Sequence, residues 1–180
     1  RKERPLSAKD GQMPPAVMAL LSESAELWTH YIGLCLHPDY RISSKHALRI
    51  SNSLKTICQS LFASCEEKEA GPLVKPLLNA LTEARDEDRF VLVDALCHVP
   101  CRYLPKKELP ELSARLAAML GTGNTELDII TLHMLLRLTH AEQGLRPAVC
   151  AAVRQYAPRW EDHLAHDWLK ARLLAEPFAA

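Results

Sequence analysis

Apolar residues recur along this chain at steps of three and four, the spacing that gathers one face of an α-helix. The stretch opening at Pro14 and Pro15 carries Val17, Leu20, Leu21, Leu27, Trp28, Tyr31 and Leu34 at that spacing. It predicts one long helix or two short ones, with Ser22 to Ser24 as the weak point. "HPDYRIS" (His37 to Ser43) breaks the pattern. Ser43 or Ser44 is then placed to cap a second helix, whose stripe is Ala47, Ile50, Leu54, Ile57 and Leu61. "EEKEAGP" (Glu66 to Pro72) ends this first hairpin. Strand signals are almost absent. The one β-branched run, "FVLV" (Phe90 to Val93), continues into "DALCHV" and reads as buried helix.

From Gly71 onward the chain becomes periodic. "PLVKPLLNALTEA" and "DEDRFVLVDALCHV" predict one pair of helices. "LPELSARLAAML" and "TELDIITLHMLLRL" predict a second, and "LRPAVCAAVRQYA" with "WEDHLAHDWLKARLL" a third. Leu73, Leu109 and Leu145 begin the three pairs and lie 36 residues apart each time. Pro110 and Pro147, 37 apart, suit the first helical position. Leu127, Leu132 and Leu136 map onto Leu164, Leu169 and Leu173 at the same offset of 37. Matching hairpins of this length are the mark of an internal repeat.

The two helices of a pair differ in kind. Leu112, Leu116 and Leu120 make a single stripe, with Arg115 outside it. The helix after it is apolar nearly all round: Leu127, Ile129, Ile130, Leu132, Met134, Leu135, Leu136 and Leu138. Such a helix must be covered on every side. Stacked hairpins do that, because each packs on its neighbours before and behind. The expected fold is therefore all-α, a right-handed α-solenoid of antiparallel helical hairpins, with a single closed helical bundle as the alternative. The expected organisation is a flexible tail over 1–13, an N-terminal helical hairpin over 14–70, and three helical-hairpin repeats over 71–180.

"MLGTGNTELDII" (Met119 to Ile130) tests for a phosphate-cradling loop. Such a loop follows a strand and leads into a helix, whereas "LSARLAAML" before Gly121 is helical and no Gly-Lys-Ser/Thr follows. Gly121 is placed to take the left-handed conformation that ends a helix. Asn124 or Thr125 can cap the next one, with Glu126 and Asp128 at its positive end. The loop reads as a hairpin bend.

Composition adds limits. Hydrophobic content of 48% suffices for a packed core, and 24% charged residues argue against wholesale disorder. Lys+Arg 22 against Asp+Glu 22 leaves a net charge of +0, so nucleic-acid binding would rest on a local patch. The chain opens at Arg1 rather than a methionine, which reads as a processed or truncated start. The first fifteen residues are polar and Pro-rich, without the apolar core of a signal peptide. No apolar run of membrane-spanning length occurs. The six cysteines read as reduced, buried thiols of an intracellular protein.

Candidate chemistry is thin. "CHVPC" (Cys97 to Cys101) lacks the second ligand pair that structural zinc requires. His163 and His166, three apart in "EDHLAHD", could chelate a metal but show no third ligand. No Gly-x-Ser-x-Gly occurs, and the acids of "EARDEDR" sit at a helix start, where they favour the dipole. No catalytic residue, metal ligand, cofactor site or small-molecule substrate is assigned. A small helical enzyme or metal protein stays open as an alternative. The best candidate is a surface. No acidic residue occurs from Tyr40 to Cys65, while Arg41, Lys45, Arg49 and Lys55 are basic. A ridge of this kind could hold RNA phosphates by charge, or equally be an ordinary solvated face. Arg102, Lys106 and Lys107 add charge at a connection.

The hairpin period and the degenerate Leu/Ala pattern from Gly71 to Leu174 resemble heptatricopeptide-type repeats of organellar RNA-associated proteins, and also HEAT and armadillo arrays. The tetratricopeptide pattern W-x-x-L-G-x-x-Y is absent. The organellar resemblance implies a non-catalytic scaffold in mitochondria that binds RNA or protein. With a neutral overall charge, the expected partners are protein subunits of a ribonucleoprotein assembly, with RNA itself as a second class.

Overall fold

The computed structural model describes residues 19–21, 23–37 and 44–156, with side chains of the last segment described from Leu54 onward. Among these residues all regular structure is helical and there is no strand. The helices are α1 (Ala25–Cys35), α2 (Ser44–Ser64), α3 (Glu67–Thr82), α4 (Asp86–Leu96), α5 (Leu109–Ala117), α6 (Thr125–Ala141) and α7 (Arg146–Tyr156). Short 3-10 turns at Cys101–Tyr103, Lys106–Glu108 and Gln143–Leu145 fill the connections. The second helix of the third expected pair lies outside the described residues.

The helix starts follow local chemistry. Ser24, in extended conformation, accepts a hydrogen bond from the Leu27 N–H at 3.1 Å and starts α1 anew. The weak point in the serine run is therefore a cap. α3 begins at Glu67, earlier than the Pro72 start expected from the sequence. The Glu69 carboxylate accepts from the Glu66 N–H at 3.0 Å, half of a capping box within the segment expected to end the first hairpin. Pro72 and Pro76 thus stand inside α3, where each removes a donor to the carbonyl four residues before it. At the α5–α6 bend Gly121 and Gly123 have φ of 71° and 88°. That left-handed region suits glycine. Asn124 caps α6 by accepting from the Leu127 N–H at 3.0 Å. Asp128, buried in the first turn, accepts from the Gly121 N–H at 2.9 Å.

The packing order is regular. Within hairpins α1 meets α2, α3 meets α4, and α5 meets α6. Helices two places apart also meet, α1 with α3, α2 with α4, α4 with α6 and α5 with α7, whereas α3 and α5 do not meet to a comparable extent. The odd helices thus fall on one side and the even helices on the other. Between α3 and α5 the Arg115 guanidinium spans to the Thr82 hydroxyl. One contiguous core runs from Leu21 to Val153. α6 buries a broad arc, Leu127, Thr131, Leu132, Met134, Leu135, Leu136 and Leu138 among it, and leaves Glu126, His133 and His140 exposed along a stripe.

Trp28 is the largest fully buried side chain. Its indole N–H donates to the Leu73 carbonyl of α3 at 2.8 Å, and its ring stacks on Tyr31 at 6.1 Å between centroids. Trp28→Ala is expected to destabilise the protein by about 3–5 kcal/mol, and Trp28→Phe by roughly 1 kcal/mol through the lost hydrogen bond, both read from urea unfolding. Gly33 offers the opposite case. It lies within α1 at a negative φ, and a Cβ there meets nothing within 4 Å. Gly33→Ala is expected to raise stability by up to about 1 kcal/mol, seen as a higher denaturant midpoint at unchanged slope.

Candidate functional site

The basic residues singled out from sequence fall at separate places. Arg41 lies outside the described residues. Positions 45 and 49 fall one turn apart in α2, and their side chains lie outside the description. Lys55 is six residues beyond Arg49, a rotation of about 120° from Arg49 and about 80° from Lys45 at 3.6 residues per turn. The ridge therefore does not run straight to Lys55. Lys55 Nζ lies 3.6 Å from Asp94 Oδ1 of α4. Arg102, Lys106 and Lys107 are all exposed in the α4–α5 connection. Arg102 lies over the Tyr103 ring at 4.7 Å, and the Tyr103 hydroxyl donates to the Cys65 carbonyl at 3.0 Å. That places Arg102 just beyond the end of α2, roughly 15 Å along its axis from Lys55. Among the described side chains, Lys55 and Arg102 therefore stand apart.

The structure assembles a different group, which sequence reasoning missed. α4 ends at Leu96, where the Cys97, His98 and Val99 N–H groups take up the Val93, Ala95 and Leu96 carbonyls, and the Cys97 and Val99 carbonyls past its end need donors of their own. Arg137 of α6 supplies them. Its guanidinium donates to the Cys97 carbonyl and, at 3.0 Å, to the Val99 carbonyl. His98 sits between those two residues. His133 lies one turn before Arg137 on α6 and is exposed. The Lys55–Asp94 pair adjoins the same turn, with side chains 40% and 11% exposed. Three successive even-side helices thus bring Lys55, Asp94, His98, His133 and Arg137 together. Nothing in the linear pattern marks them, because the apolar character of α6 hides two polar positions that share a face.

Burial, with help from Lys55 and Arg137 and against Asp94, pushes His98 below the ordinary imidazole range. Burial and then Arg137 push His133 the same way, again against Asp94. Both rings stand in a positive local field.

All six cysteines are free thiols. Burial raises Cys35 to about 11 and Cys97 to about 12, and it raises Cys58 as well. Thiols so shifted are poor nucleophiles at neutral pH. The "CHVPC" segment is a turn and a 3-10 start, with Cys97 Sγ 3.9 Å from the Ile130 carbonyl. Among the described residues no three His, Cys, Asp or Glu side chains are grouped to hold a metal. His163 and His166 lie outside them. No described helix is long and apolar enough to cross a membrane. A groove of about 470 Å³ lies between α1 and α3, lined by Ala25, Gly33, Pro72, Pro76, Lys75 and Glu83 among others. Its lining includes no histidine, cysteine or serine.

No protein-family model matches the chain, and neither a curated protein nor a solved structure shows detectable similarity to it.

The two histidines give stability a pH dependence of known sign. Their folded pKa values lie below the unfolded value, so near and below pH 6.5 the unfolded chain binds more protons. Stability is full above that value and falls as pH drops through the folded pKa values. A His98→Gln, His133→Gln double variant is expected to flatten this acid-side decline in a series of melting temperatures against pH.

Proposed function

We propose that the chain is a non-catalytic helical-repeat scaffold, a right-handed α-solenoid of antiparallel hairpins whose outer surface docks protein subunits of a larger assembly. The observation that carries the reading is the packing order. Each helix meets its chain neighbour or the helix two places on, and no substantial contact joins α1 to α7. Among the described residues this is the order expected of stacked hairpins, whereas a closed bundle adds contacts between helices far apart in the chain. The balanced charge favours protein partners over a direct polyanion. Direct RNA binding through Arg41, Lys45, Arg49 and Lys55 is the weaker reading, because Lys55 already faces Asp94 and is turned off the line. We extend the proposal to an intracellular, mitochondrial ribonucleoprotein or RNA-processing assembly, on the strength of the repeat resemblance alone.

Affinity capture of the full chain from its native source, with and without nuclease, tests the reading. Partner proteins that stay bound after nuclease are expected. Partners released by nuclease would mean that RNA bridges them, and the scaffold reading would give way to RNA binding.

A further inference from the structure

One row of side chains on α3 carries charges that no other described residue answers. Lys75, Asn79 and Glu83 lie four apart and line one exposed face of α3 and its C-terminal cap. Among the described residues, none of the three makes a side-chain hydrogen bond or ion pair. The charges around them are already matched: Lys68 with Glu66, Arg85 with Glu87, and Arg115 with Glu111. Lys75 and Glu83 cannot match each other, because eight residues of helix hold them about 12 Å apart. Glu83 also caps the C-terminal end of α3, where the helix dipole disfavours a carboxylate. Beside the row the surface is low. Pro76, Ala80 and Ala84 are half-buried, and the groove of about 470 Å³ between α1 and α3 runs along them. Small side chains there leave room for another helix to approach closely.

We propose that this face pairs with the same face of a second copy of the chain. The row reads cation, amide, anion. Turned end for end about Asn79 it reads anion, amide, cation, so it is its own complement. A two-fold axis crossing α3 at Asn79 sets α3 antiparallel to its counterpart. Lys75 then meets the partner's Glu83, and Glu83 meets the partner's Lys75. The two Asn79 carboxamides, each a donor and an acceptor, bond reciprocally at the axis. A partner of one charge sign is attracted at one end of the row and repelled at the other, which favours a second copy over an acidic or a basic ligand. α3 and the shorter α1 offer a footprint of roughly 400–500 Å² per copy. A standard interface takes about 800 Å² from each partner, so the dimer is a weak one, and its exposed ion pairs make it salt-sensitive. This pairing goes beyond the scaffold reading and does not depend on it.

The test is sedimentation velocity of the full chain at low salt over about 10–500 µM, the range in which an interface this small assembles. Circular dichroism confirms that each variant is folded. Wild type is expected to shift from monomer toward dimer with concentration, and to shift back on adding salt. Lys75→Glu and Glu83→Lys each set like charges together at both ends of the row, and each is expected to weaken association by about five- to tenfold. The combined Lys75→Glu, Glu83→Lys variant restores opposite charges at both ends and is expected to associate as wild type does. A chain that stays monomeric throughout would overturn the pairing. Association that neither single variant weakens would overturn the face, as would a folded combined variant no tighter than the single ones. If no dimer forms while nuclease-resistant capture persists, this inference falls and the scaffold reading stands.

Discussion

A helix that is apolar over more than half of its circumference has only a narrow solvent stripe to offer, and α6 is that helix. Leu127, Leu132, Leu135 and Leu138 are buried together with Met134 and Leu136, spread over about half of the circumference or more. Burying each Leu contributes on the order of 1.5–3 kcal/mol, so α6 is stable only with neighbours around it. α4, α5 and α7 provide them. That demand accounts for the order of the surrounding helices. A single hairpin leaves α6 half covered, whereas hairpins in succession cover it and repeat the arrangement at the next step.

Apolar burial alone leaves such layers free to slide. Polar side chains pin the junctions by donating to main-chain carbonyls. Trp28 donates to Leu73, Tyr103 to Cys65, Arg85 to Leu36, and Arg137 to Cys97 and Val99. Each bond joins elements far apart in the chain, and most of the acceptors lie at or just past a helix end, where carbonyls lack helical partners. An arginine at a helix C-terminus also meets the negative end of the dipole. These links set how one hairpin sits on the next, and so decide which surface residues come together.

The same links explain the polar cluster on the even side. Arg137 is held at the α4 turn for a structural reason, and its charge brings a positive field to His98 and His133. Under the proposed scaffold reading, partner chemistry would be set by the few polar side chains that helix packing leaves outside.

Much of the fold was legible from residue order. Helical periodicity, the hairpin bend at Gly121, the Asn124 cap and the break in the serine run before α1 all arise from contacts within a few residues, which the local sequence contains. The start of α3 was misplaced because Pro72 is a strong local signal and the Glu66–Glu69 link a weak one. The candidate site was scarcely legible. Lys55, Asp94, His98, His133 and Arg137 span more than eighty positions of the chain, and no periodicity relates them. Residue order is enough to say which segments are helices and which faces must be hidden, because those depend on short-range geometry and solvation. Tertiary structure alone decided that Lys55 would face Asp94 and that Arg137 would reach back to the α4 turn, because those meetings depend on how separate helices are set against one another.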